Sequence, residues 1–217
     1  MQRSNTPTRQ LWDISQRLHP GLPVWPGDIA FAARQTAAID GDCVVNINHF
    51  AMSTQAGTHA EAPLHFESHG QPIHELALER FIGRCTVVVV PGPKEYVEPD
   101  DVLPHLAPGT TRVLLKTLGE FAWDRWPEAT AGIHHRTIEA LAERGVVLIG
   151  TDAPSVDPQT SKQLLAHHAI SRHGLAILEG LVLARVAAGD YELIALPLNI
   201  QNVEAAPVRA ILRELAE

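Results

Sequence analysis

The chain has 217 residues, 45% of them hydrophobic, and a formal net charge of -8. This length and hydrophobic content predict one domain with a buried core. The 17 Lys and Arg residues are scattered along an acidic chain, which argues against a nucleic-acid partner. No segment approaches the roughly 18 consecutive apolar residues that a membrane helix needs, and the N-terminus lacks the apolar run of a secretory signal. We therefore expect a cytoplasmic protein without nucleic-acid or membrane partners.

Short apolar runs rich in β-branched residues alternate with amphipathic segments along the chain. The apolar runs predict buried strands, in chain order at 86–90, 112–116, 146–149 and 193–196. The amphipathic segments predict helices at 135–144, with Gly145 as the C-cap, at 161–170, and at 207–215, with Pro207 in the first turn. Prolines and glycines are spread through many short loops. The pattern favours a single mixed α/β domain over residues 1–217 rather than a regular βαβ array.

The cysteines and histidines bear on the kind of chemistry that the chain could perform. Cys43 and Cys85 lie in apolar surroundings and form no CxxC pair, which favours buried free thiols over a disulfide or metal ligands. Twelve histidines are more than average usage would supply for this length. This excess favours metal binding or acid-base catalysis.

The segment 53–66, STQAGTHAEAPLHF, is the strongest candidate for a functional site. A Gly and a Pro within it disfavour a helix, so a loop or a bent strand is expected. His59 and Glu61 are two residues apart and would share one face of a strand, about 7 Å apart, whereas Gln55 can join them only through a turn. His59 and Glu61 could then bind a cation, with His65 as an acid-base group. The same residues would also fit a solvated or hydrogen-bonded structural loop.

This segment resembles the His-x-Gly-Thr-His-x-Asp-x-Pro-x-His signature of the cyclase-like family of metal-dependent hydrolases, which includes bacterial kynurenine formamidases and isatin hydrolases. The resemblance extends over nearly the whole chain, through residues 11–28, 146–162, 167–183 and 191–200. The WPGD and DPQ-x-SK stretches look most like the kynurenine formamidases. The resemblance implies a curved, barrel-like β-sheet flanked by helices, of the swivelling β/β/α type, and a homodimer or larger homo-oligomer.

Carried over residue by residue, the resemblance implies two divalent metal ions, most often zinc. The implied ligands are Gln55, His59, Glu61, His167 and Glu179. Glu61 would bridge the two ions.

Glu179 is unusual as a sequence feature because it lies between Ala-Ile-Leu and Gly-Leu-Val-Leu. A carboxylate in so apolar a run must be paired, bound to metal or placed at a strand end. A helix, a turn at 173–174 and a strand would bring it back toward His167. A strand-end Glu at a surface turn is the alternative. His168 could replace His167 as the ligand, but the register of the resemblance favours His167.

Two positions depart from the family signature. Gln55 stands where the family has histidine, and its amide oxygen is a poorer zinc ligand, so manganese or magnesium becomes possible. Glu61 stands where the family has aspartate, and its extra methylene moves the carboxylate by about 1.5 Å, whereas ligand distances tolerate only about ±0.2 Å. An active enzyme with an altered or single-metal site, an enzyme with another substrate, and a member without hydrolytic activity all remain open.

The resemblance implies hydrolysis of the formamide of N-formyl-L-kynurenine to formate and L-kynurenine, in tryptophan breakdown. The metal would activate the attacking water. His65 would pass a proton to the departing aniline nitrogen. Trp25 matches a residue that lines the substrate pocket and would stack on the aromatic ring, with Phe66 or Phe50 extending this wall.

Two other functions remain open at this point. One is a related cyclic amide or lactone hydrolase, similar to isatin hydrolase. The other is a metal-poor member that binds an aromatic metabolite without cleaving it, a possibility raised by Gln55 and Glu61.

Asp152 would either hold a ligating histidine by its second nitrogen or cap a turn. His134 and His135 precede a helix, which favours a structural role.

Overall fold

The structure, a computed structural model, describes residues 9–216. Residues 1–8, the first part of the N-terminal segment in which no secretory signal is predicted, lie outside the described residues. The strands are β1 (Leu11–Asp13), β2 (Ala32–Ala37), β3 (Ile47–Ala51), β4 (His59–Glu61), β5 (Ile82–Val89), β6 (Tyr96–Val97), β7 (Arg112–Lys116), β8 (Gly132–Ile133), β9 (Leu148–Thr151), β10 (Ala176–Glu179), β11 (Gly189–Ile194), β12 (Ala205–Pro207) and β13 (Ile211–Arg213). The α-helices are α1 (Pro99–Val102), α2 (His135–Glu143) and α3 (Leu165–His173).

Nine strands form the main sheet in the order β1-β13-β11-β5-β7-β9-β10-β4-β12. The pairs β5–β7, β7–β9 and β9–β10 are parallel, and the outer pairs are antiparallel. The sheet curls into a half-barrel, which confirms the expected mixed α/β fold with a curved sheet. The parallel strands are buried on both faces, so they consist of nearly continuous apolar runs.

Apolar side chains pack on both faces of this sheet. One cluster joins Val113, Leu115 and Ile149 of the sheet to Ile138 of α2 and Ile170 of α3. The other cluster lies on the opposite face, with Cys85, Val87, Leu114, Leu178 and Leu212 among its buried members. The strands at the centre of the fold are therefore held from both sides, which gives the site described below a rigid support.

The chain agrees with most of the predicted elements and differs at two helices. The strands predicted at 86–90, 112–116, 146–149 and 193–196 correspond to β5, β7, β9 and β11, with shifted ends. The helix predicted at 161–170 begins only at Leu165, because Leu164 has a positive φ of 46°. The helix predicted at 207–215 is wrong: Pro207 ends β12, and β13 is a strand. Pairing of β13 with both β1 and β11 satisfies its backbone and overrides its local helix propensity.

A two-stranded ribbon, β2 and β3, stands apart from the main sheet. Nearly all its residues are exposed, including Phe50, which stacks on Phe31 with ring centroids 5.8 Å apart. Cys43 lies beside this ribbon and is half-buried, whereas Cys85 is buried in the main sheet. Both thiols are free, as predicted, but only Cys85 is buried. Among the described residues, no helix is long and apolar enough to cross a bilayer.

Candidate metal centre and cavity

Strands β4 and β10 place three of the predicted ligands together. Gly57, with a φ of +74°, makes the turn that leads into β4. His59 and Glu61 then point to the same side of this strand, because side chains alternate, while Ala60 points into the core. In the antiparallel register of β4 and β10, Glu179 lies directly opposite His59. The predicted return of Glu179 toward the histidines therefore results from strand pairing.

Helix α3 supplies the fourth residue, His167, in its first turn. Asp157 accepts hydrogen bonds from the backbone N–H groups of Ala166 and His167, both at 3.1 Å, and so caps the helix. The same carboxylate accepts a bond of 2.6 Å from Nδ1 of His167. This leaves Nε2 of His167 facing Glu61 Oε2 at 3.1 Å and Glu179 Oε1 at 3.8 Å. Asp157 thus fixes both the position and the tautomer of the ring.

His59 is oriented in the same way by the backbone. Its Nδ1 donates to the carbonyl of Gly57 at 2.9 Å. Its Nε2 is buried without a hydrogen-bond partner and lies 3.4 Å from Glu179 Oε2 and 3.6 Å from Glu61 Oε1. A buried nitrogen that faces two carboxylates and lacks a partner is the arrangement of a histidine that binds metal through Nε2.

The donor atoms form two overlapping groups that fit a divalent cation. In one group the atoms of His59, Glu61 and Glu179 lie within 4.8 Å of one another, and in the other those of Glu61, His65 and His167 do. Glu61 belongs to both groups. Imidazole nitrogens and carboxylate oxygens are ligands of zinc and related metals. The chemistry of these donors and the unpaired Nε2 of His59 both agree with a bound divalent ion.

The pKa values of the four buried side chains are shifted by burial and by the charges that face one another. Burial alone would lower the pKa of His59, but the neighbouring carboxylates of Glu179 and Glu61 raise it to about 10. Burial would lower the pKa of His167, but Asp157 and Glu61 raise it to about 10. Burial would raise the pKa of Glu61, but His167 and His59 hold it well below its usual value. The pKa of Glu179 is raised, first by burial and then by the charge of Glu61.

His65 and Gln55 lie at the open side of the centre. The 37% exposed side chain of His65 has Nε2 at 3.8 Å from Glu61 Oε1. Gln55 Nε2 and His65 Nδ1 lie 3.1 Å apart and form a hydrogen bond. Gln55 thus contacts the predicted acid-base residue in this structure, and its amide nitrogen, rather than its oxygen, makes that contact.

A cavity of about 330 Å³ opens above the four buried residues and has an aromatic wall. Trp25 lines it, as expected, and lies edge-to-face against Trp126, with ring centroids 5.6 Å apart. Trp126 Nε1 donates to Gln159 Oε1 at 3.3 Å. Trp123 also lines the cavity and has a positive φ of 55°. A wall of three tryptophans suits an aromatic ligand.

The predicted place of Phe66 or Phe50 in the cavity wall is wrong, whereas the structure agrees with the turn-capping alternative for Asp152 and with a structural role for His134. Phe66 packs on the ring of His167 at 5.0 Å, and Phe50 lies on the exposed ribbon, so neither is among the residues that line this cavity. Asp152 accepts from the backbone N–H groups of Thr117 and Leu118 and caps that turn. The acid that holds His167 by its Nδ1 is Asp157. His134 accepts from the backbone N–H of Arg136 and caps α2, a structural role.

Sequence reasoning missed Asp157, Trp123 and Trp126. Asp157 begins the DPQ-x-SK stretch and precedes α3 by a loop, so an acid before a helix was the available signal. The tryptophans lie in the irregular segment before β8, where no local pattern shows which way a side chain points.

The chain was compared with known proteins. A family described as "Putative cyclase" matches residues 12–158. A protein named kynurenine formamidase from Maricaulis maris (strain MCS10) is 48% identical over 206 residues, which cover 95% of this chain and 99% of the relative.

Two solved structures show the same fold. One is a potential metal-dependent hydrolase with cyclase activity, with a TM-score of 0.82, 23% identity and coverage of 97% of this chain and 100% of that chain. The other is isatin hydrolase A from Labrenzia aggregata, with a TM-score of 0.79, 24% identity and coverage of 96% and 94%. At these identities the likeness concerns the fold alone. The family match and the near full-length relative together show that this chain belongs to the cyclase family.

Proposed function

We propose that the protein is a metal-dependent hydrolase that cleaves the formamide of N-formyl-L-kynurenine to formate and L-kynurenine. The observation that carries this proposal is the buried cluster of His59, Glu61, His167 and Glu179 beneath a cavity walled by tryptophans. The 48% identical relative named kynurenine formamidase supports the choice of substrate.

His59, Glu61, His167 and Glu179 would hold the metal, and zinc is the ion that we propose because two imidazoles are in the set. A divalent ion bound by such residues polarises a carbonyl group and lowers the pKa of a water molecule. Glu61 faces both His59 and His167, so it would bridge if two ions bind. Gln55 remains a doubtful ligand, because its amide nitrogen contacts His65.

His65 would supply the proton that the departing aniline nitrogen needs. His65 lines the cavity, and its Nε2 lies 3.8 Å from Glu61 Oε1. Its partly exposed ring can regain a proton from solvent after each turnover. A general acid placed in this way usually contributes about 10²–10⁴-fold to the rate.

Trp25 and Trp126 would hold the aromatic ring of the substrate. Both rings line the cavity next to the cluster, and their edge-to-face contact leaves an apolar wall beside the acidic centre. A contact between the substrate ring and such a tryptophan adds about 0.5–1.5 kcal/mol to the binding free energy, beyond the contribution of the area that it buries. An aliphatic formamide should therefore be a much poorer substrate than an aromatic one.

The decisive experiment strips the protein of metal and refills it separately with zinc, manganese and magnesium. Hydrolysis of N-formylkynurenine is then measured beside the Gln55→His/Glu61→Asp double variant, with isatin as a second substrate. Turnover of N-formylkynurenine by the parent protein with any metal supports the proposal. Preference for isatin would point to a cyclic amide hydrolase. Turnover by the double variant alone, or no metal bound by the parent, would support a binding protein without hydrolytic activity.

We also propose a homodimer in the cytoplasm. The exposed apolar side chains of Ile47 and Phe50 in the β2–β3 ribbon, and of Ile39 in the loop that joins its strands, support self-association. The free thiols of Cys43 and Cys85 fit a reducing compartment. Light scattering coupled to gel filtration gives the oligomeric state, and a monomeric mass at micromolar concentration would contradict the dimer.

A further inference from the structure

We propose that Gln55 is a positioning residue for His65, and that its side-chain amide holds the imidazole ring with Nε2 turned toward Glu61 and the substrate. This inference rests on the proposed formamide hydrolysis, in which His65 supplies a proton. It gives position 55 a role other than metal binding, because Gln55 would act through His65 and touch neither the metal nor the reacting atoms.

The ring of His65 is held by few other contacts. The backbone N–H of His65 donates to the carbonyl of Ala62 at 2.9 Å in a short 3₁₀ turn, which fixes the backbone but not the side-chain torsions. The rings of Phe66 and His167 lie beside it, with centroids 6.2 Å and 6.0 Å away. Within residues 9–216, the amide of Gln55 makes the only side-chain hydrogen bond to this ring, at 3.1 Å from Nδ1. Loss of this bond would leave a partly exposed ring able to turn between rotamers.

The turn that carries Gln55 is itself fixed in place. Ser53 Oγ accepts from the backbone N–H of Gln55 at 3.2 Å, and the carbonyl of Ser53 accepts from the N–H of Ala56 at 3.1 Å. Thr54 Oγ1 donates to the carboxylate of Glu204, which fastens the turn to the segment before β12. The backbone from which Gln55 extends is therefore anchored, so its side chain can hold another side chain in one orientation.

Glutamine suits this role because its amide carries both a donor and an acceptor. When Nδ1 of His65 has no proton, the NH₂ group can donate to it, and when Nδ1 carries a proton, a half-turn of the amide presents the oxygen as the acceptor. The contact at Nδ1 can therefore persist while Nε2 gives up and regains its proton. Nε2 meanwhile stays near Glu61 Oε1, 3.8 Å away, beside the cavity that Gln55, Glu61 and His65 all line.

The test is a double-mutant cycle between Gln55→Met and His65→Ala, in metal-loaded protein with N-formylkynurenine as substrate. Methionine keeps the length of the side chain and removes the amide. With His65 present, we expect Gln55→Met to lower kcat about tenfold, because a proton donor that is no longer held in place transfers its proton less well. KM should change by less than about twofold, since the tryptophan wall remains. In the His65→Ala background the same substitution should have no further effect on kcat.

Two further measurements do not depend on turnover. The metal content per chain, measured by mass spectrometry, should be the same in Gln55→Met and in the wild type. The nitrogen NMR signal of His65 Nδ1, assigned from its loss in His65→Ala, should shift in Gln55→Met. Gln71→Met is the matched control, because it removes an amide that donates to the carbonyl of Glu75 at 2.9 Å, at an exposed place outside the cavity lining. It should leave kcat, the metal content and the His65 signal as they are in the wild type.

The possible results separate this inference from the proposed function. Loss of metal in Gln55→Met would make Gln55 a ligand and overturn the inference. An equal loss of kcat with and without His65 would also overturn it, because Gln55 would then act independently of that ring, and so would an unchanged His65 signal. Failure of the wild type to hydrolyse N-formylkynurenine with any metal would instead overturn the proposed function and the proton-donor role of His65, even if the His65 signal shifts.

Discussion

Glu61 shows how one longer side chain serves several partners at once. Its Oε2 faces His167 at 3.1 Å, and its Oε1 faces His59 at 3.6 Å and His65 at 3.8 Å. The extra methylene relative to aspartate is thus accommodated within contact distance of three histidines. We infer that the departure from the family signature at this position leaves the donor set intact.

His65 differs from the other residues of the centre because its side chain is partly exposed. We predict that His65→Ala lowers kcat about 10²–10⁴-fold while the metal content stays nearly unchanged, since the four buried residues remain. Turnover and metal content by mass spectrometry check this together. His69→Ala, at an exposed histidine four residues away, should change neither quantity. Loss of metal in His65→Ala would make His65 a ligand rather than a proton donor.

At the level of elements, the contact between β7, β9 and the segment after β10 leaves no room at Gly150. A Cβ there would lie 2.5 Å from Leu114 Cδ2 and 2.9 Å from Leu181 Cδ1. We predict that Gly150→Ala lowers the free energy of unfolding by about 1–3 kcal/mol, because overpacking strains a filled core. Urea denaturation measures this change. Gly41→Ala, where a Cβ meets nothing within 4 Å, is the control and should change stability by less than about 0.5 kcal/mol.

Strands β5 and β11 are also joined by a carboxylate whose ionisation depends on pH. Thr86 Oγ1 and Arg84 Nη2 each donate to Asp190 at 2.6 Å, and these bonds hold the pKa of Asp190 below its usual value. A carboxyl group with a lowered folded pKa stabilises the fold above its unfolded pKa of about 3.9 and loses that contribution as pH falls through the folded pKa.

The Asp190→Asn variant tests this sign. Near neutral pH we expect the variant to be less stable than the wild type by up to about 1 kcal/mol, because the ion pair is partly exposed. The two proteins should converge as pH falls through the lowered folded pKa of Asp190. Denaturant titrations at several pH values give the difference, and a difference that grows toward low pH would contradict the prediction.

At the scale of the whole molecule, the buried cluster links metal binding to folding. The side chains of Glu61 and Glu179 are each 2% exposed. Because only the folded chain holds these buried groups together, unfolding removes the site entirely. We predict that a chelator lowers Tm and that zinc restores it, with about 4 kcal/mol gained when free metal exceeds Kd a thousandfold. Differential scanning calorimetry measures both steps. The Glu61→Gln variant should not respond to zinc, and a chelator without effect on wild-type Tm would show that no metal supports the fold.

The amino-acid sequence by itself determined the class of fold, the buried strands and the chemistry of the segment 53–66. Apolar runs such as 112–116 become buried strands wherever they lie, and a two-residue spacing puts His59 and Glu61 on one face of any strand. The resemblance supplied His167 and Glu179 as partners. These features depend on local pattern, which is why they could be read before the structure.

Only the tertiary structure decided which distant groups meet. The tail 207–215 has local helix propensity, yet β13 fills the place between β1 and β11, where long-range hydrogen bonds outweigh propensity. Asp157 holds His167, Trp126 faces Trp25, and Gln16 lies against Gly180, 164 residues away. Each of these contacts depends on loop paths and strand order, which no local spacing encodes, because the energy that selects them comes from burial and pairing across the whole chain.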